Sequence, residues 1–152
     1  MTIKKITNKM NYADLLLLAD PDINIVKEYL DTSDMFGLFE DNELLAEIVI
    51  TKVDNDICEL KNIATVDSAR GKGYASDLIK YAFNQYKNKY SKIIVGTTEN
   101  MIPFYVINGF NKYYKTVKNF FIDNYDKEVW DGDLQCIDMY YYYKDLKEKD
   151  VK

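Results

Sequence analysis

The stretch VDSARGKGYA, residues 66–75, decides the fold class of this chain. Two glycines flank a lysine, an arginine precedes them, and a segment with helical spacing of apolar residues follows directly. A strand that runs through such a turn into a helix presents free main-chain N–H groups at the positive end of the helix dipole. Glycine also lets an anion approach the main chain closely. This stretch, called the glycine loop below, therefore predicts a phosphate-binding turn between a strand and a helix.

Three phosphate-loop templates can be compared with the glycine loop. A Walker loop requires a lysine directly after its last glycine, and Tyr74 stands at that position. A dinucleotide fingerprint requires a third glycine, and Ser76 stands there instead. The template R-x-x-G-x-A is matched in full, by Arg70, Gly73 and Ala75. The third template is therefore the one that the loop fits.

Hydrophobic periodicity and turn residues predict the elements on both sides of the glycine loop. Upstream they predict a strand over 2–7, helices over 11–20 and 22–33, and strands over 34–40, 43–53 and 57–66. Downstream they predict a helix over 74–89, a strand over 92–98, a short helix from Pro103 to Asn108, and strands over 110–122 and 135–146. The order β-α-α-β-β-β-α-β-α-β-β predicts an α/β fold with a mixed central sheet, in one domain over residues 1–152.

Two motifs give the chain its family resemblance. The string ELKNIATVDSARGKGYASDLIKYA (59–82) resembles the strand, pyrophosphate loop and helix of the GNAT family, the GCN5-related N-acetyltransferases that use acetyl-CoA. The string NMIPFYVINGF (100–110) resembles the second signature of that family, a tyrosine four residues before Gly-Phe on a short helix. The family's usual asparagine falls on Thr98, and Asn100 lies two residues later. The resemblance covers nearly the whole chain and implies a GNAT-type sheet, splayed at the acetyl-CoA site.

The resemblance also implies how acetyl-CoA is held. The pantetheine arm would pair with the main chain directly before the glycine loop, where the sheet splays. The main-chain amides from Arg70 through Ser76 would hold the pyrophosphate, and Arg70 and Lys72 would add positive charge. The implied cofactor-binding residues are Ala64, Thr65, Val66, Arg70, Gly71, Lys72, Gly73, Tyr74, Ala75, Ser76, Asn100 and Tyr105.

GNAT enzymes generally transfer the acetyl group by direct attack of the amine in a ternary complex, without an acyl-enzyme. Tyr105 is the candidate general acid, because a phenol with a pKa of about 10 can protonate a leaving thiolate and keeps its proton at neutral pH. Glu59, on the strand that leads to the glycine loop, is the candidate general base, and Glu47 on the preceding strand is the alternative. A second hypothesis is a catalytically inactive GNAT fold that binds acyl-CoA as a sensor or assembly module.

Composition excludes several other functions. The chain has no histidine, so Ser-His and Cys-His nucleophiles are excluded, and no metal site is expected because Cys58 and Cys136 lack metal-ligand spacing. The net charge of −5 disfavours nucleic-acid binding, and no apolar run is long enough to span a membrane. We therefore expect a cytoplasmic enzyme that acts on a small-molecule or peptide amine, with no nucleic-acid or membrane partner. A homodimer formed through the aromatic C-terminal strands is a further expectation.

Acceptor specificity is expected to reside in residues 20–34 and 124–136, which carry no family motif. In the second segment, acidic residues surround Trp130, and such a combination can hold a cation by charge and by cation–π contact. A solvated loop or a dimer contact would have the same composition. The sequence therefore indicates where the acceptor binds but not which amine it is.

Overall fold

The fold was obtained as a computed structural model that describes residues 1–147. Nine strands and five α-helices are found in these residues. The strands are β1 (Thr2–Ile6), β2 (Asp34–Glu40), β3 (Glu43–Lys52), β4 (Ile57–Thr65), β5 (Lys92–Thr97), β6 (Lys112–Val117), β7 (Val129–Asp131), β8 (Leu134–Cys136) and β9 (Met139–Asp145). The helices are α1 (Ala13–Ala19), α2 (Ile23–Leu30), α3 (Tyr74–Tyr86), α4 (Ile102–Ile107) and α5 (Phe120–Asn124).

Seven of the strands form one mixed sheet in the order β1-β2-β3-β4-β5-β9-β6. Every pair in it is antiparallel except β4 and β5, which run parallel. Strands β7 and β8 form a separate two-stranded hairpin. The mixed α/β sheet predicted from the sequence is thereby confirmed. No helix within residues 1–147 has the length and apolar character needed to cross a membrane.

Helices cover both faces of the sheet, because side chains alternate along β3. On one face, Ala46 and Ile48 pack with the apolar side of α3. On the other face, Val49 packs with the buried residues of α1 and α2, among them Leu16 and Val26. The two helical layers therefore fix the central strands from opposite sides, and β4 lies between them.

The C-terminal third differs from the prediction. The strand predicted over 110–122 is wrong beyond Val117, because Asn119 takes a left-handed conformation and α5 follows it. The Asn119 main-chain N–H donates to an Asp138 carboxylate oxygen at 2.9 Å, which stabilises this bend. The strand predicted over 135–146 is divided into β8 and β9. Aromatic and apolar residues continue through both bends, so periodicity alone gave no sign of them.

The sheet splits between β4 and β5. Their parallel pairing ends at Leu60 and Val95. The register of β4 against β3 shifts at Lys61, which is a bulge, and β4 then stays with β3 as far as Thr65. Strand β5 stays with β9 as far as Thr97. A bulge bends its strand and increases its twist, so the two strands separate and leave one edge of β4 open.

Candidate active site

A cavity of about 760 Å³ opens where β4 and β5 separate. One end of it, called the cofactor end, lies against the glycine loop and the open edge of β4. The other end, called the acceptor end, lies between the α1–α2 connection and the segment from α5 to β8. Tyr105 of α4 is also part of its wall. The cavity therefore joins the sequence motif to the two segments that carry no motif.

The cofactor end presents main-chain N–H groups to an anion. Gly71 and Gly73 have φ angles of +80° and +82°, which residues with a Cβ rarely adopt. Gly73 is the N-cap of α3 and supplies no side-chain oxygen to the first turn. The N–H groups of a helix's first turn have no partner within the helix. This donor set fits a pyrophosphate, because it combines oriented N–H groups with the positive end of a 13-residue helix.

The end of β4 provides a second set of main-chain groups. Ala64 and Thr65 line the cavity, and on the β5 side their strand edge has no neighbouring strand among residues 1–147. An open strand edge can pair with an extended chain that carries amide groups, as pantetheine does. Val66 is outside the cavity wall, and its N–H donates to the carbonyl of Leu45 at 2.9 Å.

The charged and polar candidates for the cofactor site differ in their position relative to the cavity. Arg70 lines the cavity, and its guanidinium forms an exposed ion pair with Asp67 at 3.2 Å. Lys72 does not line the cavity. Thr98 and Asn100 both hold the β7–β8 hairpin: the Thr98 hydroxyl donates to a side-chain oxygen of Asp131 at 2.9 Å, and the Asn100 amide donates to its carbonyl at 3.2 Å.

Tyr105 lines the cavity from α4. Its ring packs edge-on against Phe104 and Phe110, and only 8% of the residue is exposed. Burial, followed by the nearby Glu47 carboxyl, raises the pKa of its phenol. The hydroxyl makes no hydrogen bond to another residue in the described part of the chain. The phenol is therefore protonated at neutral pH and is available as a donor to a group in the cavity.

Neither candidate base lines the cavity. Glu59 lies in the parallel part of β4, where its carboxylate faces the Lys61 ammonium at 3.7 Å. Burial raises the pKa of Glu59, and Lys61 partly offsets that effect. Glu47 is fully buried on β3, and its two oxygens have no hydrogen-bond partner in the described part of the chain. Burial raises the pKa of Glu47 well above its ordinary value.

The acceptor end contains side chains that no motif indicated. Asp20, which follows α1, lines the cavity and is almost fully buried. Tyr125, which follows α5, also lines it, and its hydroxyl donates to Asp20 at 3.0 Å. The two residues are 105 positions apart in the chain. The only sequence signal for them was their position in the two segments without a motif.

The cysteines and acidic residues form no cluster of metal ligands within the described residues 1–147. Burial raises the pKa of the Cys58 thiol to about 12, so this thiol is not a nucleophile at neutral pH. Cys136 is also buried, although it lines the cavity. Residues 1–147 contain no group of three or more cysteine and acidic side chains that could hold a metal ion.

Comparison with known proteins agrees with this geometry. Residues 31–112 match the family model described as an acetyltransferase (GNAT) domain. The chain is 33% identical over 137 residues to the uncharacterized N-acetyltransferase YvbK of Bacillus subtilis, a match that covers 88% of each protein. It also resembles the crystal structure of a GNAT family acetyltransferase from Elizabethkingia anophelis with acetyl-CoA bound. That match has a TM-score of 0.88 and 31% identity, and covers 95% of this chain and 97% of the other.

A Bacillus subtilis acetyltransferase solved in complex with CoA is similar as well. Its TM-score is 0.82 at 29% identity, and the match covers 94% of this chain and 97% of the other. The family match spans more than half of the chain, and the mixed central sheet matches the fold of these solved relatives. The chain therefore belongs to the GNAT family of N-acetyltransferases.

Proposed function

We propose that this protein transfers the acetyl group of acetyl-CoA to a primary amine, by direct attack of the amine in a ternary complex. The observation that carries the proposal is one continuous cavity, which leads from an anion-binding helix start past Tyr105 to an acceptor end. Relatives of about 30% identity have been solved with acetyl-CoA or CoA bound. Acetyl-CoA is the cofactor, and it supplies an activated acyl group as a thioester.

The cofactor residues follow from the donor set. The N–H groups of Gly71 and Gly73–Ser76 hold the pyrophosphate, and Arg70 adds positive charge. The main chain of Ala64 and Thr65 pairs with the pantetheine arm, and Val66 fixes the start of the loop through its bond to Leu45. Lys72, which lies outside the cavity wall, serves the ribose phosphate of the nucleotide. Thr98 and Asn100 support this arrangement indirectly, through the β7–β8 hairpin that they hold.

Tyr105 acts as the general acid of the reaction. Its hydroxyl is protonated and has no competing acceptor in residues 1–147, so it is free to give its proton to the leaving sulfur. A positioned general acid contributes about 10²–10⁴ in rate. The aromatic packing against Phe104 and Phe110 fixes the ring and hence the direction of the hydroxyl.

Glu59 remains the base predicted from the sequence, and Glu47 remains its alternative. For Glu59, proton removal has to pass through Lys61 or a water molecule, because Lys61 lies between the carboxylate and the cavity. Glu47 has no hydrogen-bond partner that could relay a proton within the described residues. The nearby Glu47 carboxyl raises the pKa of the Tyr105 phenol, which supports a different role for Glu47, namely to keep that phenol protonated.

The alternative of an inactive acyl-CoA sensor receives no support from the relatives, which are named as acetyltransferases. The deciding experiment mixes the protein with acetyl-CoA and a panel of amines, and follows the release of free thiol. The panel includes an arylalkylamine, a polyamine, an amino acid, an aminoglycoside and a lysine peptide. Acetyl-CoA binding without thiol release on any amine would favour the sensor.

We further propose that the protein acts in the cytoplasm on a small-molecule or peptide amine. Two cysteines with free thiols support a reducing compartment. A homodimer through the edge strand β6 is a less favoured proposal, because Lys112 and Lys115 lie on that edge and charged edges oppose strand pairing. Sedimentation velocity tests the dimer directly.

A further inference from the structure

We propose that Asp20 binds the ammonium group of the acceptor and takes its proton, and that the acceptor is a monoamine with an apolar or aromatic body. This inference rests on the function proposed above and names the residue and the substrate class of the same site. It gives the proton-accepting role to a carboxylate on the cavity wall, where the amine can reach it.

The main chain fixes Asp20 firmly. Its N–H donates to the carbonyl of Leu16 at 3.2 Å and closes the last turn of α1. Pro21 follows it and restricts the backbone at the start of the connection to α2. Only 8% of the residue is exposed, and Asp20 is part of the cavity wall. Asp20 is thus a preorganised group and not a solvated surface carboxylate.

Hydrogen bonds of defined direction hold the carboxylate. The Asn62 amide donates to the Tyr29 hydroxyl at 3.1 Å, so the proton of Tyr29 is left for Asp20, whose Oδ2 it approaches at 3.4 Å. The Tyr125 hydroxyl donates to Oδ1 at 3.0 Å, and the N–H of Asp22 approaches the same oxygen at 3.4 Å. A carboxylate has about four acceptor sites. These three donors therefore leave one site, on Oδ2, for an ammonium group.

Other carboxylates are less able to fill this role. Within residues 1–147, the carboxylates that line the cavity are those of Asp20 and Asp131. Asp131 lies on the β7–β8 hairpin, where it accepts the hydroxyl proton of Thr98, and it is less buried than Asp20. Glu47 and Glu59 are outside the cavity wall. A monoamine needs one such carboxylate for its ammonium group, and Asp20 is the more buried of the two.

The rest of the acceptor end is aromatic and apolar. Phe121 and Tyr125 stack with ring centroids 5.7 Å apart, and both line the cavity. Trp130 lines it from the β7–β8 hairpin and is 55% exposed. Aromatic faces bind apolar groups and also attract a nearby cation. An amine on a flat or apolar body therefore fits this end better than a polar one.

The proton step balances without any additional reagent. An N–H bond of the ammonium group breaks, its electron pair stays on nitrogen, and the proton goes to Oδ2 of Asp20, which later releases it to water. Burial raises the pKa of the Asp20 carboxyl, and this brings it closer to that of an amine. The titratable groups that face Asp20 are Asp22 of the same connection and the hydroxyls of Tyr29 and Tyr125. On the cavity wall, Lys61 is paired with Glu59.

The first test is a calorimetric titration of 2-phenylethylamine into CoA-saturated protein, with spermidine as the comparison amine. We expect Asp20→Asn to weaken 2-phenylethylamine binding about tenfold or more, because a charge-assisted hydrogen bond is lost. The matched control is Asp14→Asn, which removes one negative charge from the exposed first turn of α1, outside the cavity wall. It should bind like the wild type. No binding by the wild type, tighter spermidine binding, or equal binding by Asp20→Asn would overturn the proposal.

The second test is the pH dependence of that binding. We expect the affinity of the wild type to fall at acid pH as Asp20 becomes protonated. Tyr125→Phe should move this fall to higher pH, because the Tyr125 hydroxyl lowers the pKa of Asp20. A residue with a purely structural role would lower the affinity equally at every pH, and that result would contradict the proposal.

The third test is turnover of 2-phenylethylamine. Asp20→Asn should lower kcat/KM about 100-fold, whereas Asp14→Asn should leave it unchanged. If Glu59→Gln abolished turnover and Asp20→Asn did not, Glu59 and not Asp20 would be the general base. If CoA failed to bind the wild-type protein as well as the variants, that result would instead contradict the proposed function. The amine titration on the free protein would then still test Asp20.

Discussion

The two ends of the cavity are built in opposite ways. The cofactor end comes from one continuous stretch, residues 64–76, and consists mainly of main-chain groups held by glycine conformation and a helix start. The acceptor end comes from segments as far apart as Asp20 and Tyr125, and consists of side chains that meet only in the folded protein. A main-chain site has a local sequence signal, whereas a side-chain site assembled from distant segments has none. The sequence therefore predicts the residues of the cofactor site but not those of the acceptor site.

The largest expected effect is at the cofactor end. Gly73→Asp should weaken CoA binding at least 100-fold, because it places a carboxylate at an anion site and a Cβ at a φ of +82°. The left-handed residue costs about 1–2 kcal/mol of stability, so the protein should still melt cooperatively. Calorimetry with CoA measures the affinity.

Gly132→Asp is the matched control for Gly73→Asp. Gly132 also has a positive φ, of +61°, and open space around its Cα, but it lies in the turn of the β7–β8 hairpin. This variant should keep its affinity for CoA. Equal loss in both variants would mean that backbone strain, and not the anion site, explains the effect, and the comparison between the two ends would fail.

The next largest effect is expected at Tyr105, which lines the cavity from α4. Tyr105→Phe should lower kcat about 100-fold with little change in CoA affinity, because only the proton donor is removed. Tyr113→Phe, on the exposed edge strand β6, controls for the loss of a phenol elsewhere. A wild-type rate for Tyr105→Phe would refute the acid role and would leave Tyr105 as a packing residue.

A third prediction concerns the raised pKa of Glu47 and its effect on the stability of the fold. The raised pKa of Glu47 means that the folded state binds its proton more tightly than the unfolded state does. The free energy of unfolding therefore keeps its full value below the pKa that Glu47 has in the unfolded state. It falls by about 1.4 kcal/mol per pH unit as the pH rises from there towards the pKa of Glu47 in the folded state. Glu47→Gln, which is never ionised, should therefore stabilise the protein increasingly above pH 5. Urea unfolding at pH 4.5 and pH 7.5 measures this difference.

Glu59→Gln provides the comparison for Glu47→Gln. Glu59 also has a raised pKa, but Lys61 offsets part of the effect of burial, so the gain in stability with pH should be smaller. A stability difference for Glu47→Gln that does not change with pH would show that Glu47 is ionised in the folded protein.

The smallest effect is expected at the hairpin anchor. Thr98→Val removes one hydrogen bond to Asp131, worth about 1 kcal/mol, and should raise the KM for the amine several-fold while CoA affinity stays unchanged. Steady-state kinetics with both substrates varied checks this. Weaker CoA binding instead would show that Thr98 contacts the cofactor, as the family asparagine at its position suggests.

The family, the fold class and the cofactor followed from two local motifs, and the comparisons confirm them. The roles of Tyr105, Glu59 and the loop residues stay predictions. The C-terminal elements were predicted less well, because the run of aromatic residues from 110 to 122 has a strand pattern on both sides of the bend at Asn119. That bend depends on Asp138, which lies 19 residues further along the chain.

The sequence by itself determined the glycine loop, because the helix start and the positive φ angles of Gly71 and Gly73 are properties of neighbouring residues. Only the tertiary structure decided the acceptor end. The bulge at Lys61 separates β4 from β5, and the packing of α1 and α5 then brings Asp20 and Tyr125 within 3.0 Å. Contacts over 105 residues are set by the packing of whole elements, and no local pattern encodes them.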